Sequence, residues 1–214
     1  TANANGTTTG RAVVLVGAGM VAALNVGKLP PALHDLRHEF GLSLVQVSWM
    51  LSLFLLGSAL LGLVGGSLAD RFDPRRVMIG GLLLTALTGA LGALAPNASV
   101  LFASRALESV AFMLTVLPAP ALLRRTVPGA SLRGWLGVWA TYMPTGMSAA
   151  LFFAPTLMAW GGWRGTWAFC AGVAAAWALL IVVTQPRQAA HAAPPSPIGT
   201  VALATLRLRG PWLL

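Results

Sequence analysis

Long runs without a charged residue constrain this sequence more than any other feature. The uncharged runs are residues 12–27, 41–69, 77–104, 109–123, 134–163 and 165–186. A helix needs about 20 mainly apolar residues to cross a bilayer, whereas a transmembrane strand alternates apolar and polar side chains over about ten positions. These runs are apolar on all sides, so they predict membrane-spanning helices.

Turn residues and charges divide the runs into six predicted spans, at about 12–30, 45–69, 76–95, 99–123, 134–158 and 163–183. Pro96 and Asn97 mark a turn between the third and fourth spans. The fourth span then carries Arg105 and Glu108 inside it. The third span has small residues at intervals of four, which places them on one helix face and favours close packing. They are Gly81, Thr85, Gly89 and Ala93.

The composition excludes the soluble classes of protein. Only 9% of the 214 residues are charged, against roughly 25% in a soluble domain, and the mean hydropathy is +0.77. The single cysteine, Cys170, allows no internal disulfide. The net charge of +9 is spread singly and in pairs between apolar runs. That distribution is typical of loop charges that set membrane orientation and argues against a nucleic-acid partner.

The same charges predict an orientation. With the N-terminus inside, ten basic residues lie on inside segments and three on outside segments, which is the bias expected of cytoplasmic loops. We therefore expect a multi-pass protein of the bacterial inner (plasma) membrane, with both ends of the six-helix unit in the cytoplasm and the lipid bilayer as its surroundings.

The segment between the second and third spans carries the most specific motif, at residues 66–76. It resembles the pattern G-x-L-a-D-r-x-G-r-k/r of the major facilitator superfamily of transporters. Asp73 and Pro74 depart from that pattern. Because Asp73 replaces the usual glycine, we expect Pro74 to supply the turn of this loop. The matching residues are Gly66, Leu68, Ala69, Asp70, Arg71 and Arg75. The resemblance implies that Gly66, Asp70, Arg71 and Arg75 form a conformational gate at the cytoplasmic side.

The resemblance also implies a fold and a division of the chain. The fold is all-α and integral to the membrane, with six transmembrane helices as a 3+3 inverted-repeat bundle. This is half of a twelve-helix transporter. The expected parts are a cytoplasmic segment (1–11), the six-helix N-terminal half (12–183), a cytoplasmic linker (184–209) and the truncated start of helix 7 (210–214). We accordingly expect the chain to be a fragment that lacks a C-terminal half.

Other features place the sequence within the family. Span five reads Tyr142-Met143-Pro144-Thr145-Gly146-Met147 and lacks the G-P-x-x-G-G antiporter motif, and Ser109 stands where the span-four pattern has glycine. These departures argue against a multidrug proton antiporter. The overall pattern is nearest the cyanate/nitroimidazole-type branch.

The charges within the fourth span are the leading site candidates. Arg105 and Glu108 share one helix face and lie roughly 9 and 14 Å from the outer end of the span. A charge at mid-membrane costs about 2.5–3.5 kcal/mol on insertion scales, so the pair should face the bundle interior. Either Arg105 binds an anionic substrate with Glu108 as a proton carrier, or the two form a structural ion pair.

Three further residues are candidates for substrate or ion binding, each with a structural alternative. Lys28 closes span one at the outer face, where it either contacts substrate or extends to the lipid headgroups. Asn25, one turn deeper, hydrogen-bonds substrate or a neighbouring helix. Tyr142 lies beside Pro144 in span five, where a broken helix exposes backbone groups, and is otherwise a packed tyrosine.

The predicted function is secondary active transport of a small solute, an anion or a small organic compound, by alternating access coupled to protons. The alternative is a six-span substrate-binding subunit of a multi-component membrane transporter. An intramembrane serine protease would need a histidine within the spans, but His34, His38 and His191 all fall in loops. We therefore expect no enzyme activity, no cofactor and no metal site.

Overall fold

The structure, a computed structural model, describes the backbone of residues 2–69 and 72–186 and the side chains of residues 6–59 and 72–186. That part of the chain is helical throughout and contains no strand. The helices are α1 (Ala2–Gly27), α2 (Leu29–Phe40), α3 (Leu44–Ala69), α4 (Pro74–Ala93), α5 (Ala98–Val116), α6 (Ala119–Thr126), α7 (Gly129–Ala140) and α8 (Tyr142–Thr184).

Four helical stretches of the described chain are long and apolar enough to cross a membrane, and Leu44–Ala59 is a shorter apolar helix. The four are Gly6–Phe40 (whose apolar part is α1), Pro74–Ala93, Ala98–Thr126 and Gly129–Thr184. The last stretch has 56 residues, well over twice the roughly 20 that one crossing needs. The all-α membrane bundle expected from the sequence is therefore confirmed.

Helix boundaries follow the local sequence closely. Asp73 caps α4 by accepting a hydrogen bond from the Arg75 amide, and Pro74 occupies the first turn, where its missing N–H costs nothing. Asn97 caps α5 by accepting from the Val100 amide at 3.1 Å. The turn predicted at Pro96 and Asn97 is thus where α4 gives way to α5.

The 43-residue helix α8 is broken at Gly162, whose φ of 59° and ψ of −162° lie outside the helical region. Only glycine adopts this backbone conformation readily. The break gives a first arm of residues 142–161 and a second arm of residues 163–184. These arms correspond to most of predicted span five and to predicted span six.

Small residues bring the helices into close contact. A Cβ on Gly81 of α4 would lie 2.6 Å from the Thr115 nitrogen of α5, and one on Gly89 would lie 3.1 Å from Ala171 of the second arm. The small-residue face predicted on span three is therefore a packing face. Gly146 of the first arm lies equally close to the backbone of α1 at Met20.

Two arginines connect α4 to the second arm of α8. Arg75, at the start of α4, donates to the carbonyl oxygens of Gln185 and Val182, both at 2.8 Å. Arg164, at the start of the second arm, donates to the carbonyl oxygens of Ala93 and Ala95 at 2.8 and 3.0 Å. Both arginines supply donors to the carbonyl-rich C-terminal end of a helix, where unpaired oxygens and the helix dipole favour a cation.

Some predicted boundaries differ from the structure or lie beyond it. Helix α1 begins at Ala2, so residues 2–11, predicted as a segment preceding the first span, continue that helix. Residues 98–126, which include the predicted fourth span (99–123), form two helices, because Pro118 and Pro120 interrupt the helix between Val116 and Ala119. Most of the predicted linker (184–209) and all of the predicted start of helix 7 (210–214) lie outside the described residues.

Candidate functional site

Three charged side chains meet in the interior of the bundle. Glu108 of α5 accepts a hydrogen bond from Lys28 Nζ at 2.7 Å through Oε1 and another from Arg105 Nη1 through Oε2. Lys28, Arg105 and Glu108 are 1%, 0% and 2% exposed. Together with Asn25 they form what we term the charge cluster. Such groups are costly to bury unless they are paired, and here one carboxylate bridges two cations.

Asn25 fixes the geometry of the charge cluster from α1. Its side-chain oxygen accepts from Lys28 Nζ at 2.9 Å, and its amide nitrogen donates to the Val21 carbonyl at 3.0 Å. Its own backbone carbonyl accepts from Arg105 Nη1 at 3.2 Å. One residue therefore positions both cations and joins α1 to α5.

Aromatic rings surround the two cations. Lys28 Nζ lies 4.9 Å from the centre of the Trp167 ring, and Arg105 Cζ lies 5.3 Å from the centre of the Phe54 ring. Phe54 in turn meets Phe112 edge to face at 5.3 Å. Cation–π attraction strengthens when water is excluded, so these rings compensate part of the cost of burying positive charge.

The charge cluster is not electrically balanced. Lys28 and Arg105 contribute two positive charges and Glu108 one negative charge, which leaves a net charge of +1. In addition, Nε and Nη2 of Arg105 are buried and have no hydrogen-bond partner among the described residues. Buried donors without acceptors are uncommon in proteins and often have a functional explanation.

Of the two alternatives for Lys28, extension to the lipid headgroups does not fit the structure. The sequence suggested a lysine at the outer face, yet Lys28 is almost fully buried and paired with Glu108. Its backbone angles of −69° and −22° are helical, so the chain continues from α1 into α2 without leaving the bundle. The partner lies 80 positions away, and spacing along one helix carries no information about it.

Tyr142 lies apart from the charged groups. Its ring stacks on Trp139 with a centroid distance of 4.5 Å and an angle of 22°, and it packs against the apolar cluster that contains Phe54 and Phe112. Within the described residues, it takes part in none of the hydrogen bonds that connect Asn25, Lys28, Arg105 and Glu108. The structure brings those four candidates together and leaves the fifth to packing.

Of the predicted gate, only Arg75 is described with its side chain. It is 8% exposed and makes the two hydrogen bonds to the end of α8 given above. Gln185, beside these carbonyls, donates to the Arg11 carbonyl of α1 at 3.0 Å. Gly66 lies within α3, in the part of that helix of which only the backbone is described. Asp70 and Arg71 lie outside the described residues.

Glu39 of α2 is a further charged residue with a defined role that no sequence pattern indicated. This carboxylate accepts from Trp163 Nε1 and from Arg164 Nη2, both at 2.6 Å. The hydrogen bond from Trp163, followed by that from Arg164, outweighs desolvation and lowers the pKa of Glu39. Glu39 therefore ties the charged helix α2 to the start of the second arm of α8, next to Gly162. No sequence pattern connects residues so far apart in the chain.

The described residues offer no group of three or more histidine, cysteine or acidic side chains that would hold a metal ion. Cys170 is buried and unpaired. The chemistry available at the charge cluster is therefore ion pairing and hydrogen bonding.

A family model for the Major Facilitator Superfamily matches residues 15–214. The chain belongs to the major facilitator superfamily. An uncharacterized MFS-type transporter of Bacillus subtilis (strain 168), YwoD, is 35% identical over 147 residues, which are 67% of this chain and 32% of the relative. The methylenomycin A resistance protein of the same strain is 28% identical over 71% of this chain and 33% of its own length. The tetracenomycin C resistance and export protein of Streptomyces glaucescens is 29% identical over 78% of this chain and 32% of its own length.

Solved transporters share the fold. A bacterial homolog of the human lysosomal transporter Spinster, in an inward-facing and unoccupied conformation, matches with a TM-score of 0.78 and 16% identity over 89% of this chain and 46% of that chain. The chain thus spans about a third of the length of these curated relatives and under half of that solved structure.

Membership in the superfamily confirms the predicted class of protein. Members of this family are membrane transporters rather than enzymes. The resemblance to the cyanate/nitroimidazole-type branch is not confirmed. Two of the relatives are named for antibiotic resistance or export.

Proposed function

We propose that the protein containing this chain moves a small solute across the membrane by alternating access, and that this six-helix unit supplies one half of the pathway. The charge cluster carries the proposal. Ionisable side chains inside a membrane bundle are costly and are typical of substrate and ion pathways. Here three of them converge on one buried point, Lys28 from the junction of α1 and α2 and the other two from α5.

Solute binding is assigned to Arg105, Lys28 and Asn25, and proton coupling to Glu108. Both carboxylate oxygens of Glu108 accept hydrogen bonds from the two cations. A solute that draws either cation away would leave the carboxylate short of a partner in the bundle interior, where an unpaired charge is costly, and a proton would supply the missing partner. Solute binding and proton binding would then occur together at one site.

The solute is a small anion or a small organic compound. The net positive charge of the charge cluster supports an anionic group. The names of the relatives, which include resistance to methylenomycin A and export of tetracenomycin C, support an organic compound. An organic compound that carries a negative charge satisfies both observations.

Arg75 contributes to the gating proposed for Gly66, Asp70, Arg71 and Arg75. Its guanidinium holds the end of α8 against the start of α4, and α8 is held to α1 by Gln185. A change of conformation at residues 66–76 would therefore reach α1, which carries Asn25 and leads directly into Lys28.

Transport by the full-length protein in proteoliposomes tests the proposal. With a panel of labelled organic anions and an imposed proton gradient, Arg105→Gln should abolish solute movement, while Arg125→Gln, which removes an exposed arginine, should not. Glu108→Gln should leave residual transport that no longer responds to pH. Equal transport by all three variants would contradict the assignment of the charge cluster as the site.

A further inference from the structure

The hydrogen bonds of Arg105 divide its guanidinium into two parts. Nη1 donates to Glu108 Oε2 and to the Asn25 carbonyl, so this nitrogen serves the structure of the charge cluster. Nε and Nη2 are fully buried and donate to nothing among the residues that the structure describes. One guanidinium nitrogen is thus hydrogen-bonded within the charge cluster, and the other two carry donors that a ligand could use.

The two available donors lie on the same edge of the guanidinium. In an arginine side chain the N–H of Nε and one N–H of Nη2 point in parallel, a spacing that matches the two oxygens of a carboxylate. Paired, parallel hydrogen bonds of this kind are a main reason why arginine and not lysine binds planar oxyanions. The free edge is therefore suited to one chemical group in particular.

The charge of the surroundings agrees with this geometry. With Lys28 and Arg105 opposed by Glu108 alone, the charge cluster lacks one negative charge. Groups buried in a bilayer interior are poorly screened, so a monovalent anion at the Arg105 edge would neutralise the site. A dianion would change the net charge of the site from +1 to −1 and would therefore bind less favourably than a monovalent anion.

We propose that the Nε–Nη2 edge of Arg105 is the binding site for a carboxylate group of the transported solute. This inference rests on the proposed function and specifies its substrate class, a monocarboxylate or a closely similar planar oxyanion. Glu108 accepts a hydrogen bond from Nη1 of the same guanidinium and another from Lys28. Its carboxylate therefore competes with the solute carboxylate for the two cations.

The experiment uses benzoate as the probe and benzamide, its neutral counterpart of the same shape, as the control. The unfolding temperature of the purified full-length protein in detergent is measured at constant ionic strength as each compound is added. A ligand that binds only the folded state raises this temperature in a saturable manner. We expect benzoate to do so and benzamide to have no effect.

Arg105→Lys keeps the positive charge and removes the parallel donors, so it should lower the affinity for benzoate about tenfold or more. Arg125→Lys, on an exposed arginine, is the matched control and should behave as wild type. Glu108→Gln removes the competing carboxylate and should strengthen benzoate binding about tenfold or more. A purely structural ion pair predicts no such gain.

Equal responses to benzoate and benzamide, or an unchanged benzoate affinity in both Arg105→Lys and Glu108→Gln, would overturn the inference. Its failure is distinguishable from failure of the proposed function. Solute transport that does not depend on a carboxylate would refute the carboxylate site alone. Saturable benzoate binding without movement of any carboxylate solute would refute the transport function and leave the site in place.

Discussion

Gly81 provides the sharpest test of how the helices pack. A Cβ at this position would lie 2.6 Å from the Thr115 nitrogen, whereas ordinary van der Waals contact begins at 3.4 Å, so α4 and α5 must separate by about 0.8 Å to admit one methyl group. The obstructing atoms include backbone, which cannot rotate away as a side chain would. Overpacking of this kind costs typically about 1–3 kcal/mol.

The neighbouring Gly80 is the matched control, because it lies in the same turn of α4 and a Cβ there has no atom within 4 Å. Gly80→Ala should be neutral or stabilise the helix by up to about 1 kcal/mol. The gain in helix propensity is common to both substitutions, so Gly81→Ala should have a free energy of unfolding roughly 1–3 kcal/mol lower than Gly80→Ala. Unfolding of both variants in mixed detergent micelles measures the difference, and coinciding midpoints would refute the packing argument.

Three further predictions use single substitutions, with the unfolding temperature as the measurement. Arg75→Met removes two hydrogen bonds to the end of α8 and should cost about 1.5–3 kcal/mol of stability for each. Arg76→Met, on a side chain that is 82% exposed, should lose almost no stability. Equal losses of stability would count against the Arg75 contact. Gly162→Ala forces a side chain into a conformation specific to glycine and should cost about 1–3 kcal/mol, while Gly161→Ala should be tolerated. Because the pKa of Glu39 is lowered, its ionised form stabilises the fold at pH values above the usual glutamate pKa of 4.5. This stabilisation is lost as the pH falls through the lowered pKa. Glu39→Gln should remove this loss of stability at acidic pH, and an unchanged pH profile of the unfolding temperature would refute the role of the carboxylate.

Much of the fold could be predicted because the relevant signals are local. The break between α4 and α5 follows from Pro96 and Asn97, and the close packing of α4 follows from small residues at intervals of four. Arg105 and Glu108 were found for the same reason, since both lie on one turn of one helix and a charge in an apolar run is conspicuous.

The missed features depend on contacts between distant parts of the chain. Lys28 was placed at the outer face because it follows the end of an apolar run, whereas its position is decided by Glu108 on another helix. Glu39 was overlooked because acids on a charged helix are commonplace, and only the fold brings Trp163 and Arg164 to it. Tyr142 was a candidate because it lies beside Pro144 in the predicted span five, but that position did not indicate its neighbours.

The two arginine contacts have a mechanical consequence for α4 and the second arm of α8. Arg75 joins the beginning of α4 to the end of that arm, and Arg164 joins the beginning of the arm to the end of α4. Two rods fastened to each other at both ends resist sliding and shear, so they should rotate or translate only as one body. A relative displacement that exposes the charge cluster would then have to involve helices outside this fixed pair, among them α5 and α3, whose Phe54 covers Arg105.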